Sequence, residues 1–367
     1  MNNDTLLEVR NIKTHFPLAQ GLVRAVNGVN FTVKRGQTIG LVGESGCGKS
    51  VLARSILRIV PPPGRIVGGE LLFHRSSFGN GTGSNGVVDL ARLGPKGAEI
   101  RTIRGGEISM VFQEPMTSLS PVHTIGSQII EAILLHQSVS KEQARQQAIE
   151  MLSRVNMPQP ERTIDRYPHQ LSGGMRQRAM IAMALSCHPT LLIADEPTTA
   201  LDVTTQAQIL TLMRDLQRDL GMAIIFITHD LGVIAQMVDY VIVMYLGQIV
   251  EMADVETIFY QPQHPYTQSL LRSIPRMGRK SIQGGSGRLT AIRGTVPDPY
   301  SMPAGCPFHP RCRQAIPGLC DQHDPPLLQT GPGHEVRCVL YEPEQQKRSG
   351  GVDAVGSINS PVEGIAS

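Results

Sequence analysis

The hydrophobic pattern of the chain changes between short apolar runs and longer amphipathic segments. Four runs, "TIGLV", "ISMVF", "LLIA" and "AIIFIT", have the length and composition of strands. The first run and the third, which covers residues 191–194, predict buried parallel strands, because strands covered on both faces have near-continuous apolar sequences. Residues 5–42 instead alternate apolar and polar positions, with a turn at Gly36, and this alternation predicts an antiparallel β-subdomain.

Other segments repeat their apolar positions with the period of a helix. The segment "SVSKEQARQQAIEMLSRV" begins with a predicted capping box between Ser140 and Gln143. Its apolar face is formed by Ala144, Ala148, Leu152 and Val155. The segment "MRQRAMIAMALSC" predicts a helix that stops before His188-Pro189, and "VTTQAQILTLMRDLQRDLG" predicts an amphipathic helix that ends at Gly221.

Composition and charge narrow the class of protein. The 367 residues are 41% hydrophobic and 18% charged, which is typical of a globular protein large enough for two domains. A net charge of +3 without long blocks of like charge argues against a nucleic-acid partner. The N-terminal residues lack the pattern of a signal peptide, and no apolar stretch approaches the ~20 residues that span a bilayer, so we expect a cytosolic protein. Residues 76–86 are rich in Gly, Ser and Asn and predict a mobile surface loop.

The most specific chemical motif follows the first buried strand. Residues 43–50, "GESGCGKS", match the G-x-x-x-x-G-K-S pattern of a phosphate-binding loop, and the helical segment "SVLARSILRIV" follows. Backbone N–H groups at such a strand-to-helix turn bind phosphate oxygens. Lys49 is expected to reach the β and γ phosphates, and Ser50 to coordinate Mg²⁺. The candidate nucleotide-binding residues are Gly43, Glu44, Ser45, Gly46, Cys47, Gly48, Lys49, Ser50 and Val51.

Two carboxylates follow another buried strand. Asp195 and Glu196 come directly after residues 191–194. A strand parallel and adjacent to the strand of the phosphate loop would bring Asp195 beside Mg²⁺, and Glu196 close enough to the γ-phosphate to orient an attacking water. The sequence therefore predicts a metal ligand and a catalytic base at this point.

The segment "LSGGMRQRAMIAMAL" resembles the signature sequence of ATP-binding cassette (ABC) ATPases, and "VFQEP", "TALD" and "ITHD" resemble further elements of that family. The segment "HPYTQSLLRSIP" and the cysteine-rich tail resemble the ATP-binding subunits of oligopeptide, dipeptide and nickel importers. The resemblance implies an α/β fold of the ABC-type P-loop NTPases, with a RecA-like core sheet, an antiparallel β-subdomain and a helical subdomain. The expected units are an ATPase domain at 5–260 with its helical subdomain at 114–170, a C-terminal extension at 261–343, and a disordered tail at 344–367.

The signature segment implies a site shared between two chains. Ser172 and the N–H groups of Gly173 and Gly174 begin a helix and so form a second anion site. In the family two cassettes pack head to tail, and each signature closes on the ATP held by the other cassette. Asp202 is expected at the seam of that dimer.

The resemblance implies three more roles in the nucleotide site. His229 is expected to contact the γ-phosphate and to hold Glu196 and the attacking water in line. Gln113 is expected to sense Mg²⁺ and the γ-phosphate and to link them to the helical subdomain. Phe16 is the best candidate for the aromatic ring that stacks on adenine, with packing inside the β-subdomain as the alternative.

Four cysteines near the C-terminus form the last candidate site: Cys306, Cys312, Cys320 and Cys338. A disulfide is not expected in the cytosol. A Pro- and Gly-rich tail with few large apolar residues usually needs a cross-link, such as a bound metal, to fold. Four thiolates suit zinc or an iron–sulfur cluster. His309 and His334 are possible zinc ligands, and unliganded reduced thiols are a third alternative. The resemblance implies a structural [4Fe–4S] cluster.

The favoured function is the ATP-hydrolysing subunit of a membrane importer, using ATP and Mg²⁺ at the cytoplasmic face of the membrane. The resemblance implies three kinds of partner: a second, homologous ATPase chain in a heterodimer, two transmembrane permease subunits, and an extracytoplasmic substrate-binding protein. Peptide is the favoured cargo, and nickel, glutathione and oligosaccharide remain open. The alternative is a soluble ABC ATPase acting on nucleic acid or ribosomes, which usually carries two cassettes or a long coiled coil. An ATP-using redox sensor is a third possibility.

Overall fold

The computed structural model describes five segments of the chain: residues 4–75, 86–114, 118–199, 201–273 and 292–343. The predicted mobile loop at 76–86 lies outside the described residues except for its last position, and the predicted disordered tail at 344–367 lies outside them entirely. In the described segments, no helix combines the length and the apolar character that crossing a bilayer requires.

The strands belong to two sheets. They are β1 (Thr5–Leu18), β2 (Gly21–Lys34), β3 (Thr38–Val42), β4 (Arg65–His74), β5 (Val87–Asp89), β6 (Ile108–Val111), β7 (Leu191–Asp195), β8 (Ala223–Ile227), β9 (Tyr240–Tyr245), β10 (Gln248–Asp254), β11 (Leu328–Gly331) and β12 (His334–Val336).

The helices lie between these strands. They are α1 (Lys49–Ile56), α2 (Ala98–Ile103), α3 (Ile125–His136), α4 (Lys141–Arg154), α5 (Pro160–Thr163), α6 (Gly173–Leu185), α7 (Val203–Leu220), α8 (Leu231–Met237), α9 (Val255–Tyr260) and α10 (Pro265–Arg272).

The larger sheet has the strand order β11-β12-β10-β9-β3-β8-β7-β6. The strands from β9 to β6 in that order pair in parallel, because helical crossovers return the chain to the same edge. β3, β7 and β8 are buried along their whole length, as their apolar runs predict. The expectation that β7 is adjacent to β3 is wrong, because β8 lies between them. The two strands still serve one site, since α1 packs across to β7.

The smaller sheet is the predicted antiparallel β-subdomain. Its order is β2-β1-β4-β5, and each neighbouring pair is antiparallel. The predicted range of 5–42 is too long at its end, because residues 38–42 form β3 of the larger sheet. It is also incomplete, because β4 and β5 come from beyond residue 64. The uninterrupted apolar run of β3 is the feature that separates it from the alternating strands before it.

The helices α3, α4 and α5 pack together as a helical layer over α6. The predicted capping box of α4 is confirmed: Gln143 N donates to Ser140 Oγ at 3.2 Å, and Ser140 N donates to Gln143 Oε1 at 2.8 Å. Its predicted apolar face is confirmed too, because Ala144, Ala148, Leu152 and Val155 are all fully buried. The helix α7 ends, as predicted, at Gly221, whose φ of 63° is in the left-handed region.

Residues 292–343 pack against the rest of the chain. β12 pairs antiparallel with β10, so this segment extends the larger sheet. The ring of Phe308, which is 1% exposed, lies edge-on to Tyr245 and Tyr266, with ring centroids 5.3 Å apart in both pairs. The segment has few apolar residues of its own, and it gains a core by sharing that of the preceding residues.

Candidate functional site

The phosphate-loop residues turn tightly between β3 and α1. Gly43, Gly46 and Gly48 have φ values of 151°, 80° and 106°, a region that favours glycine. A Cβ atom at Gly43 would lie 2.3 Å from the Met244 carbonyl oxygen, and one at Gly48 would lie 2.1 Å from the Ala25 carbonyl oxygen. Glycine at 43 and 48 is therefore required by the packing of the loop as well as by its backbone.

The remaining loop residues divide into buried and exposed ones. Cys47 is buried, and burial raises the pKa of its thiol. Ser45 is exposed and Val51 is partly buried at the start of α1. Lys49, 5% exposed, donates from Nζ to the Gly43 carbonyl at 2.7 Å and to the Glu44 carbonyl at 3.0 Å. The ammonium group thus lies inside the curve of the loop, where it can meet a phosphate.

Glu44 is held by residues from the far end of the sequence. Its N–H donates to the Tyr266 hydroxyl at 2.9 Å. Its carboxylate accepts two hydrogen bonds from Arg311, at 2.6 and 2.9 Å. No sequence pattern identified either partner, because more than two hundred positions separate each of them from Glu44.

Ser50 and Asp195 form the candidate Mg²⁺ site. Ser50 Oγ donates to Asp195 Oδ1 at 3.0 Å, and Asp195 is 3% exposed. Burial raises the pKa of Asp195, and the hydrogen bond from Ser50 acts in the opposite direction. A buried carboxylate facing a hydroxyl offers the oxygen ligands that Mg²⁺ prefers. The residues at this position therefore fit the predicted ion.

Glu196 lies at the centre of a second cluster, where three strands end. Its carboxylate accepts hydrogen bonds from Gln113 Nε2 at 2.9 Å and from Thr199 Oγ1 at 2.9 Å, and its Oε1 lies 3.1 Å from His229 Nδ1. Gln113 follows β6, Glu196 follows β7 and His229 follows β8. The structure thus brings these three predicted residues together. Thr199 was missed, although it lies in the same "DEPTT" segment.

The environment of Glu196 favours the ionised carboxylate. Burial acts to raise the pKa of Glu196, but the hydrogen bonds with His229 and Thr199 outweigh burial and lower the pKa below its usual value. The backbone of Glu196 is in the left-handed region, with a φ of 47°, and its N–H donates to the Ile227 carbonyl at 2.9 Å. Non-glycine residues adopt this conformation only where the surroundings hold it, and such positions concentrate at active sites.

The predicted second anion site begins α6. Ser172 is the N-cap, and its Oγ accepts a hydrogen bond from Met175 N at 3.3 Å. Ser172 and Gly173 are exposed, and a Cβ atom at Gly173 would meet nothing within 4 Å. A Cβ atom at Gly174 would lie 2.9 Å from Thr205 Cγ2 of α7. Packing within the chain thus favours glycine at 174 and leaves the surface at 172 and 173 open.

Asp202 and Phe16 have partners within the chain. Asp202 is the N-cap of α7, where its Oδ1 accepts from Thr205 N at 3.0 Å. Phe16 is partly buried on β1, where it pairs with Val23 of β2. A Cβ atom at Gly64 would lie 2.3 Å from the Phe16 ring, so the ring packs on that glycine.

The predicted iron–sulfur cluster is not supported. Cys306, Cys312, Cys320 and Cys338 line one small pocket, and burial raises the pKa of Cys306 to about 11 and that of Cys338 to about 12. Within the described segments, no group of three or more His, Cys, Asp or Glu side chains could hold a metal ion. The prediction of a [4Fe–4S] cluster at these residues is therefore wrong.

The zinc alternative fails on the same finding, and its two histidines have hydrogen-bond partners within the chain. His334 Nε2 lies 2.8 Å from Glu251 Oε1, and His309 Nδ1 lies 3.0 Å from the Cys306 carbonyl oxygen. All six cysteines of the chain are free thiols. The four thiols near the C-terminus thus line the pocket as reduced side chains.

Two regions of the chain are similar to known transport ATPases. Residues 26–199 match the family described as ABC transporter, and residues 250–320 match the oligopeptide/dipeptide transporter C-terminal region. The oligopeptide transport ATP-binding protein AppD of Bacillus subtilis is 48% identical over 94% of this chain and 99% of its own length. The dipeptide transport ATP-binding protein DppD of the same organism is 47% identical over 92% and 96%.

A solved structure gives the same fold. The ABC transporter cassette MJ0796, determined as a dimer, is 26% identical and superimposes with a TM-score of 0.58 over 68% of this chain and 99% of its own. The same cassette has also been determined as a dimer with ADP and phosphate bound.

Proposed function

Because this chain belongs to the ABC transporter ATPases that share the oligopeptide/dipeptide transporter C-terminal region, we propose that it is the ATP-hydrolysing subunit of a membrane importer for di- and oligopeptides. One observation carries the proposal: the Glu196 carboxylate, whose pKa is lowered by its hydrogen bonds, lies between Gln113 and His229 on the same sheet edge as the phosphate loop. The names of the relatives, which match along almost the whole chain, support peptide as the cargo.

The phosphate loop provides the nucleotide site. Residues 43–51 surround the phosphates with backbone N–H groups, and Phe16 stacks on the adenine ring. Lys49 exchanges its hydrogen bonds with the Gly43 and Glu44 carbonyls for the β and γ phosphates, which costs little because the ammonium already lies inside the loop. Ser50, Asp195 and Gln113 would hold Mg²⁺, whose contribution is to neutralise charge on the phosphate oxygens.

Glu196 acts on the attacking water. As an ionised carboxylate it accepts a hydrogen bond from that water and receives its proton as the water attacks the γ-phosphate. Gln113 and Thr199 fix the Oε2 atom, and His229 fixes Oε1, so the carboxylate cannot rotate away from the water. His229, whose side chain is 63% exposed, is open to the γ-phosphate on its other side.

The signature acts on a second chain. Ser172 and Gly173 are exposed at the start of α6, and Gly174 lets that helix approach α7 closely. We propose that Ser172, Gly173 and Gly174 close on ATP bound to a partner cassette, with Asp202 at the seam of a head-to-tail dimer. The structure of the related cassette MJ0796 as a dimer supports pairing of two cassettes. The partner is proposed to be a second, homologous ATPase subunit in a heterodimer.

The helical subdomain, residues 114–170, provides the proposed contact with the membrane subunits. The exposed side chains of Leu134 (41%) and Leu135 (72%) lie on a groove that Lys141 and Arg145 also line. Such an apolar strip with charged rims suits a short cytoplasmic helix of a permease. Two permease subunits, an extracytoplasmic substrate-binding protein and a peripheral position at the cytoplasmic face complete the proposed assembly.

We propose that the chain divides into an ATPase domain and a C-terminal extension. The ATPase domain is residues 5–260, and the C-terminal extension is residues 261–343, without the metal cluster first expected there. The alternative of an ATPase acting on nucleic acid is not favoured by any observation, since the matching relatives have transport names.

Reconstitution tests the function. The chain is co-expressed with the proposed partner ATPase and the membrane subunits, and ATP hydrolysis is measured in proteoliposomes with and without peptide-loaded binding protein. We expect peptide to stimulate hydrolysis, Glu196→Gln to abolish it, and the matched control Glu99→Gln on α2 to leave it unchanged. Stimulation by RNA or ribosomes instead of peptide, or full hydrolysis by Glu196→Gln, would refute the proposal.

A further inference from the structure

The phosphate-loop residue Glu44 is held by three groups at once. The Tyr266 hydroxyl accepts from its N–H at 2.9 Å, and the Arg311 guanidinium donates two hydrogen bonds to its carboxylate, at 2.6 and 2.9 Å. Its carbonyl accepts from Lys49 Nζ at 3.0 Å. Two of the three groups come from the segment after residue 260, which otherwise has no direct part in the proposed reaction.

The surroundings of Arg311 make it a fixed anchor. Its side chain is 4% exposed. Besides Glu44, its guanidinium donates to the Arg293 carbonyl at 3.1 Å and to the Tyr245 hydroxyl at 3.3 Å. The Tyr245 and Phe308 rings lie 5.8 and 6.0 Å from its central carbon. A planar guanidinium held on several sides has one orientation, so the carboxylate paired with it has one orientation too.

Charge gives the pair a second effect. The Glu44 carboxylate is in the loop that receives a triphosphate, and an unpaired carboxylate there would repel the ligand. Arg311 neutralises that carboxylate through a bidentate pair that is largely shielded from water, where charge interactions are stronger than in bulk solvent. Ser45 and Gly46 are the exposed residues of the loop, and they follow directly after the anchored Glu44.

We propose that Arg311 and Tyr266 are positioning residues for nucleotide binding: they hold Glu44 so that the phosphate loop is ordered before ATP arrives. Without them, the loop must be ordered by the ligand, and the free energy of ordering is subtracted from the free energy of binding. The C-terminal segment thus acts on ATP affinity through a loop more than two hundred positions earlier in the chain. This inference rests on the proposed role of that loop as the nucleotide site.

The test measures the affinity of the purified full chain for MgATP by isothermal titration, together with its thermal midpoint. Arg311→Met is expected to weaken binding about tenfold, the size of one lost charge-assisted hydrogen bond. Arg311→Lys should recover part of that loss, because it restores the positive charge but not the bidentate hydrogen bonding of the guanidinium. Tyr266→Phe should weaken binding a few-fold, because the Glu44 N–H loses its acceptor.

Two further variants separate positioning from general stability. Arg337 lies in the same segment and donates to the Ile249 and Pro325 carbonyls, away from the loop, so Arg337→Met is the matched control and should leave affinity unchanged. In the double variant Arg311→Met/Glu44→Gln, the unpaired charge is gone, and binding should be tighter than in Arg311→Met alone.

The outcomes are distinct. Wild-type affinity in both Arg311→Met and Tyr266→Phe, or equal losses in Arg311→Met and Arg337→Met, would overturn the positioning role. If Arg311→Met does not fold, the ATP affinities of Arg311→Lys and Tyr266→Phe are compared with that of the wild type, and wild-type affinity in both would overturn the positioning role. Lys49→Ala tests the premise that the phosphate loop is the nucleotide site. Undiminished affinity in that variant would show that ATP binds elsewhere, and it would refute both the proposed site and this inference.

Discussion

Lowering the pH is expected to destabilise the chain through His264. This side chain is 1% exposed at the start of α10, where its Nδ1 accepts a hydrogen bond from Tyr266 N at 3.0 Å. Burial is the main reason that the pKa of His264 falls from 6.5 to about 4, although the nearby Glu251 carboxylate acts to raise it. A protonated ring could not accept the Tyr266 hydrogen bond, so the folded state requires the neutral form.

The direction and size of this stability change follow from the pKa values of His264 in the unfolded and the folded chain. The unfolded chain binds a proton at His264 below a pH of about 6.5 and the folded chain only below about 4, so stability is lost as the pH falls through that window. Between about pH 7.5 and pH 5 the loss from this group is about 2 kcal/mol, and it approaches about 3 kcal/mol at lower pH. Burial also lowers the pKa of His15, His136 and His188, so the whole chain is expected to lose more than this.

Urea unfolding at the two pH values measures the effect. His264→Asn is the matched variant, because asparagine is a good N-cap acceptor and does not titrate in this range. The variant is expected to be less stable than the wild type at neutral pH but to lose about 2 kcal/mol less on acidification. An equal loss in the two proteins would refute the reasoning, because His264 would then contribute nothing to the pH dependence.

Three further predictions concern the site and its support. Glu196→Gln should bind ATP with unchanged affinity and form a stable ATP-bound dimer while losing hydrolysis, measured by titration, light scattering and phosphate release; turnover at the wild-type rate would contradict the role of Glu196. Gly48→Ala should lose more than about tenfold in ATP affinity, since its Cβ would lie 2.1 Å from the Ala25 carbonyl oxygen. Gly221→Ala, which is also at a positive φ but has nothing within 4 Å of its Cβ, should bind ATP normally. Phe308→Ala should cost about 3 to 5 kcal/mol in unfolding free energy, since its buried ring packs edge-on against both Tyr245 and Tyr266, and a loss below about 1 kcal/mol would contradict that packing.

Local features of the fold could be predicted because their causes are local. The capping box at Ser140 and Gln143, the end of α7 at Gly221 and the tight turn of the phosphate loop all depend on residues within a few positions. The approach of Gln113, Glu196 and His229 was implied by the resemblance to ABC ATPases, and its structural cause is that each residue follows a buried strand and the carboxyl ends of parallel strands meet at one edge.

The order of the strands could not be read in the same way. The apolar runs of β3 and β7 identify both as buried, but nothing in either run indicates that β8 is inserted between them. The cysteine prediction failed for a related reason. Residue type and the family resemblance suggested thiolate ligands, but the folded chain forms no metal-binding group within the described segments.

The helices and strands, the phosphate loop and the chemistry of the residues around it can be read from local sequence, because backbone preferences and hydrogen-bonding capacity belong to each residue and its near neighbours. The folded chain is needed to show which strand lies beside which, and that Arg311 and Tyr266 meet Glu44 across more than two hundred positions. Such contacts depend on how whole segments pack against each other, and packing is a property of the complete fold.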